Sequence, residues 1–150
     1  MEQLRTTVLQ GHGFQVLQTL GKGQYRHVFK VQKEEFGIIA AKVLNQEEFE
    51  NYEWREDFQK KIGNTNPFAL KYISRTDYGL NTVILMEYAN LNNLDSLIET
   101  NKDIPIPIIR AIMRQLLEGL RLIHEKELVH GDINSLNILL HNKAGSDRVV

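Results

Sequence analysis

Two short apolar runs, Leu128-Val129 and Ile138-Leu139-Leu140, bracket a polar stretch that carries His130, Asp132 and Asn137. Runs of this length read as buried strands, so the polar residues between them are expected on a loop held at both ends. A loop so held can fix a carboxylate and an amide oxygen a few ångströms apart, one facing a nucleophile and the other a hard cation. Asp and Asn are equally ordinary turn formers, and the spacing alone leaves both readings open.

The flanks of such a loop need a core to be buried in. Of 150 residues, 42% are hydrophobic and 25% charged, the balance of one globular domain. Lys and Arg number 18 against 19 Asp and Glu, so neither nucleic acid nor an anionic membrane is expected as a main partner. The chain has no cysteine, which removes disulfides, thiolate metal sites and a Cys nucleophile, and fits a cytoplasmic, intracellular location. Residues 1–10 lack the apolar core of a signal peptide, and no run approaches the roughly 20 apolar residues of a membrane span.

From the amino end, Phe14, Val16 and Leu20 alternate with polar neighbours, and Val28, Phe29 and Val31 follow Gly21-Lys22-Gly23. Residues 14–20 and 27–32 therefore read as an antiparallel hairpin. Its glycines either make a turn or let backbone N–H groups approach a phosphate. Residues 37–44 form an apolar run of strand length interrupted by Lys42. A cation there costs desolvation unless it is paired, or else it snorkels from an edge strand. Residues 46–61 are charge-rich, with Phe49, Tyr52, Trp54 and Phe58, then Ile62, spaced as two helical stripes. Residues 68–75 and 81–87 read as two more strands about a turn at Asp77-Tyr78-Gly79. Residues 94–100 make a short helix, and Pro105 and Pro107 force an extended approach to a long one. That helix carries Ile109, Ile112, Met113, Leu116, Leu117, Leu120 and Ile123 on one apolar stripe. His124 and His130 read as packing and hydrogen-bonding residues.

Together these segments resemble the eukaryotic protein kinase family of the serine/threonine type. His130-x-Asp132-x-x-x-x-Asn137 before Ile138-Leu139-Leu140 is similar to its catalytic loop. Gly21-Lys22-Gly23 through Val28 is similar to its glycine-rich loop, and Ile39-Ala40-Ala41-Lys42 to its V-A-I-K strand. The resemblance implies a protein-kinase-like α+β fold. Residues 1–87 would be a five-stranded antiparallel small lobe with one helix, 88–93 the hinge, and 94–150 the beginning of a mainly helical large lobe. It also implies ATP and Mg2+ as cofactors and a protein Ser or Thr as acceptor. Asp132 would be the catalytic base, Asn137 would hold Mg2+, and Lys42 would reach the α- and β-phosphates. Leu20, Gly21, Lys22, Gly23, Val28, Ala40 and Leu139 would surround the nucleotide. Met86 would be the gatekeeper, Glu87 and Ala89 would offer backbone groups to adenine, and Asn93 would lie at the ribose. Lys42 is expected to pair with Glu56, or with Glu53, on the helix over 46–61.

Three residues depart from the family pattern: Arg26 replaces the third glycine, Gly131 the usual Arg, and Asn134 the usual Lys of the catalytic loop. No Asp-Phe-Gly occurs within the 150 residues. Arg26, Asn134 and the missing Asp-Phe-Gly favour a second class, a pseudokinase or kinase-derived fragment that binds nucleotide or a partner without turnover. These 150 residues alone are expected to be catalytically inactive.

Overall fold

Alternating apolar and polar residues become five antiparallel strands in a computed structural model, which describes residues 2–23, 26–50, 56–63, 65–100 and 103–142. The strands are β1 (Gln15–Gly23), β2 (Arg26–Lys33), β3 (Gly37–Asn45), β4 (Tyr72–Tyr78) and β5 (Asn81–Met86), in sheet order β1-β2-β3-β5-β4. Helix α1 (Glu2–Gly11) precedes the sheet, α2 (Gln46–Glu50) and α3 (Glu56–Gly63) follow β3, and α4 (Leu94–Thr100) and α5 (Ile106–His124) follow β5. The chain divides into two units, one of residues 1–59 and 71–88, the other of residues 60–70 and 89–150. The α+β, protein-kinase-like class is as the sequence predicts. The expected helix over 46–61 is described in two parts, α2 and α3, with 51–55 outside the described residues.

Turn chemistry sets the strand registers of the first unit. Lys33 pairs with Gly37 across a three-residue loop, the Phe36 N–H donates to the Lys33 carbonyl at 3.1 Å, and Gly37 takes φ +69°. A three-residue loop closed by a left-handed residue is a common hairpin form, and glycine adopts that φ without steric cost. Tyr78 pairs with Asn81 across Gly79-Leu80, with Gly79 at φ +60°. The predicted turn thus lies one residue further on, because glycine suits the first loop position of a tight hairpin.

Period-two alternation then sorts the side chains by face. Phe29, Val31, Ile39, Ala41, Val43, Val83 and Leu85 join Leu9 and Phe14 in the buried core of this unit. Leu9 comes from α1, which the sequence does not announce: its residues alternate in no strong pattern, and only Arg5 and Leu9 are buried. Spaced four apart, these two share one helical face. The Arg5 guanidinium donates to the Val43 carbonyl at 3.2 Å and to Glu48 Oε1 at 2.5 Å, and contacts the His27 ring. Glu48 in turn joins Asn45 in capping α2. Its Oε2 accepts the Asn45 N–H at 2.9 Å, while Asn45 Oδ1 accepts the Glu48 N–H at 2.7 Å, a reciprocal capping box that satisfies two backbone donors.

At the far edge Asp77 accepts from the Thr82 hydroxyl at 2.7 Å and pairs with Arg75 at 3.0 Å. The Thr82 hydrogen bond, with Arg75 beside it, holds its carboxyl below the usual carboxylate range. A carboxyl depressed in the folded state adds stability that is present above its unfolded pKa and is lost as pH falls through the folded one. The group is largely exposed, so the effect is a few tenths of a kcal/mol. Asp77→Asn is expected to shrink the stability difference between pH 7 and pH 3 by about that much in urea unfolding. An unchanged difference would refute the coupling.

In the second unit α5 begins after Pro105, whose carbonyl accepts the Ile108 N–H at 2.9 Å and the Ile109 N–H at 3.2 Å. Pro107 sits in the first turn, where its missing N–H leaves no helix bond unmade. Only part of the predicted stripe is covered. Ile112, Gly119 and Ile123 are buried, whereas Met113 and Leu117 are 51% and 61% exposed. Gly119 is small for a reason: an added Cβ would stand 3.2 Å from Phe68 Cβ, and the buried Asn66 amide donates to the Gly119 carbonyl at 2.8 Å. Asn66 Oδ1 also accepts the Phe68 N–H at 3.0 Å, so one side chain fixes the loop after α3 on α5.

The stretch after α5 corrects one expectation. Leu128-Val129 and Ile138-Leu139-Leu140 form no paired strands among the described residues; a single bridge joins Asn93 to Leu139. Instead of a ladder, backbone bonds from residues 91–95 hold the segment. Leu94 N–H donates to the Ile138 carbonyl at 2.8 Å, Leu140 N–H to Asn92 at 2.8 Å and Leu91 N–H to Leu140 at 3.0 Å. Apolar runs of two and three residues are too short for their pairing partner to be read from pattern alone.

Candidate active site

The sequence-selected residues of the first unit fall into rows across the sheet. Val28 pairs with Lys42 and Lys42 with Ile84, while Lys30 pairs with Ala40 and Ala40 with Met86. Directly opposed residues share a face, and positions two apart on a strand return to it. Val28, Ala40, Lys42 and Met86 therefore lie together on the face opposite the core cluster. Lys42 is 5% exposed, so the residue is largely withdrawn from water, where a cation needs a partner. Of the two expected partners, Glu53 lies outside the described residues. Glu56 opens α3, but its side chain is likewise outside them.

Gly21 sits in β1 beside a register irregularity after Thr19, which leaves Leu20 as the extra residue. A Cβ built on Gly21 would meet nothing within 4 Å, and its φ is not left-handed. Neither packing nor backbone conformation demands glycine there, whereas close approach of a ligand to the backbone would. The Lys22, Gly23 and Arg26 side-chain positions lie outside the described residues, as do Gln24 and Tyr25. At the end of β5 the Glu87 N–H donates to the Lys71 carbonyl at 2.9 Å, and Glu87 Oε2 accepts the Lys71 N–H at 3.3 Å.

The second unit builds the catalytic-loop candidate around one carboxylate. Asn137 Nδ2 donates to Asp132 Oδ2 at 2.7 Å and to the Asp132 carbonyl at 3.0 Å, and Asn134 Nδ2 donates to Asp132 Oδ1 at 2.9 Å. The Asp132 N–H donates to His130 Nδ1 at 3.2 Å, which gives His130 a hydrogen-bonding place as expected. Asn134 does more than the sequence suggested. Its Oδ1 accepts the Leu136 and Asn137 N–H groups at 3.0 and 3.2 Å, so it closes the turn that presents Asn137. An Asn that caps the next two or three residues is a known local motif, and Asn134-x-x-Asn137 carried that signal. Gly131 takes φ +82°, a conformation in which the Arg common in the family would be strained.

Asn93, expected at the ribose, also caps α4, its Oδ1 accepting the Ser96 N–H at 2.9 Å. Ala89 and Leu139 are half-buried in this unit. Among the described residues no group of three His, Cys, Asp or Glu could hold a metal ion, and no helix is long and apolar enough to cross a membrane.

Comparison with known proteins gives this arrangement its relatives. A family model described as the protein kinase domain matches residues 14–149. Serine/threonine-protein kinase pakG of Dictyostelium discoideum is 32% identical over 127 residues, covering 83% of this chain and 11% of that protein. Serine/threonine-protein kinase 10 of Xenopus tropicalis is 28% identical over 144 residues, 93% of this chain and 15% of that protein. A probable serine/threonine-protein kinase, the MRK1 homolog of Encephalitozoon cuniculi, is 28% identical over 131 residues, 85% of this chain and 40% of that protein. The chain thus spans well under half the length of these relatives. With the match extending over nearly its whole length, from the first strand past the Asp132 loop, the chain belongs to the protein kinase domain family.

Proposed function

We propose that this chain forms part of an ATP-dependent protein kinase that transfers the γ-phosphoryl group to Ser or Thr hydroxyls of a protein substrate. The observation that carries the reading is the Asp132 carboxylate held by the amides of Asn134 and Asn137. An ionised carboxylate fixed by donors is oriented to accept a proton from a substrate hydroxyl. Lys42 would meet the α- and β-phosphates as a fixed positive charge. Gly21, Val28 and Ala40 are small or apolar residues that admit a nucleotide, Met86 would face adenine, and the backbone at Glu87 and Ala89 would hydrogen-bond its edge. The Asn137 amide nitrogen is turned to Asp132, so its oxygen is the atom with the chemistry to hold Mg2+, whose other ligands would be phosphate oxygens and water. Mg-ATP, when bound, supplies the transferable phosphoryl group and neutralises charge on it.

A second reading, nucleotide or partner binding without turnover, is favoured by Asn134. It stands where the family's loop cation stabilises transferred charge and is occupied in holding Asp132. The test is to measure, for the whole kinase of which this chain forms part, phosphate incorporation from labelled ATP into a basic protein substrate together with the affinity for an ATP analogue. Incorporation on Ser or Thr is expected, with Lys42→Met weakening analogue affinity about tenfold, the worth of a charge-assisted hydrogen bond. Analogue binding without incorporation would support the second reading, and absence of both in the folded protein would overturn the first reading and the nucleotide-binding form of the second.

A further inference from the structure

Asp95 and Ser135, 40 residues apart, bind each other twice. The Ser135 hydroxyl donates to Asp95 Oδ1 at 2.7 Å, and the Asp95 N–H donates to the Ser135 carbonyl at 3.1 Å. Both residues are half-buried, and the Leu94–Ile138 bond and the Asn93–Leu139 bridge continue the same seam. A hydroxyl donating to a carboxylate at this distance is a charge-assisted bond, stronger than its neutral counterpart. Ser135 lies in the turn whose ends, Asn134 and Asn137, hold the two oxygens of Asp132. Within that turn Asn134 bonds to Leu136, Asn137 and Asp132, all inside the loop. An internally bonded exposed loop keeps its shape but can tilt as a body, and a shift of about 1 Å can cost on the order of a hundredfold in rate.

We propose that Asp95 is a positioning residue for the catalytic loop. Through Ser135 it pins the 134–137 turn to the first turn of α4 and so sets the direction in which the Asp132 carboxylate points. The role rests on the kinase reading above, and the chemistry is a hydrogen bond to Ser135 rather than the general benefit of an acid at a helix start. An amide keeps the acceptor oxygen and removes the charge. It therefore separates the two explanations.

The experiment compares Asp95→Ala, Ser135→Ala, their double variant and Asp95→Asn in phosphoryl transfer and in hydrogen exchange of the Leu136 and Asn137 amides. Each alanine variant is expected to lower kcat about tenfold with ATP KM unchanged, the double variant to lose no more than either single one, and Asp95→Asn to keep most of the rate. Exchange of the two amides should quicken in both alanine variants and stay slow in Asp95→Asn. Multiplying losses in the double variant, Asp95→Asn as slow as Asp95→Ala, or unquickened exchange would each overturn the proposal. If the unmodified protein transfers no phosphate, the kinase reading fails by itself. The exchange arm then still decides whether Asp95 holds the loop.

Discussion

Asp132→Asn is expected to lower kcat for phosphoryl transfer about a thousandfold while leaving ATP KM within about twofold, because a positioned general base contributes on the order of 10²–10⁴ in rate. Two separate losses combine. The amide cannot take a proton from the attacking hydroxyl, and it also disturbs its own loop. Asp132 presents an oxygen to each of Asn134 and Asn137, at 2.9 and 2.7 Å, whereas an Asn at this position has one oxygen and would set its NH2 against one of those donors. The first-unit residues proposed to meet the nucleotide are untouched, so ATP affinity should hold. Steady-state kinetics against the unmodified protein, with ATP-analogue titration as control, measures both quantities. A kcat within threefold of the original would remove Asp132 from the mechanism.

Arg5→Ala is expected to cost about 3 kcal/mol of stability, the scale for removing one member of a buried ion pair. In a chain of this size that corresponds to a fall of roughly 6–12 °C in Tm. The Arg5 and Glu48 side chains are 4% and 10% exposed, so removing the guanidinium strands a desolvated carboxylate and leaves the Val43 carbonyl short of a donor. It also frees α1 from the start of α2, since Glu48 is at once the partner of Arg5 and a member of the Asn45–Glu48 capping box of that helix. Replacing both charges, Arg5→Leu with Glu48→Leu, should recover part of the loss, because no charge then remains buried alone. Thermal and urea unfolding of the two singles and the double measure the coupling. A loss under about 1 kcal/mol in Arg5→Ala, or strict additivity, would show that α1 is held by Leu9 and its neighbours instead.

The sequence by itself determined most of the sheet, because period-two alternation and hairpin glycines are local signals: Val28 to Val31, the run at 37–44 and the Gly79 turn each lie within a few residues of their consequence. It likewise determined α5, through its stripe and its prolines, and it selected Asp132 and Asn137, which the fold places in direct hydrogen-bond contact. Only the tertiary structure decided the rest. Arg5 finds partners 22, 38 and 43 residues away, Asp95 finds Ser135 at 40, and Asn66 reaches Gly119 at 53. The runs flanking the Asp132 loop were read as strands, yet Ile138 and Leu140 are held by backbone bonds to residues 91–94 rather than by a ladder, and the Leu128 N–H donates back to the Ile123 carbonyl of α5. The physical reason is common to all of these. Local propensity fixes which dihedrals a segment prefers, but a polar group's partner is chosen by what burial brings beside it, and a buried charge or donor accepts whichever partner the assembled fold supplies.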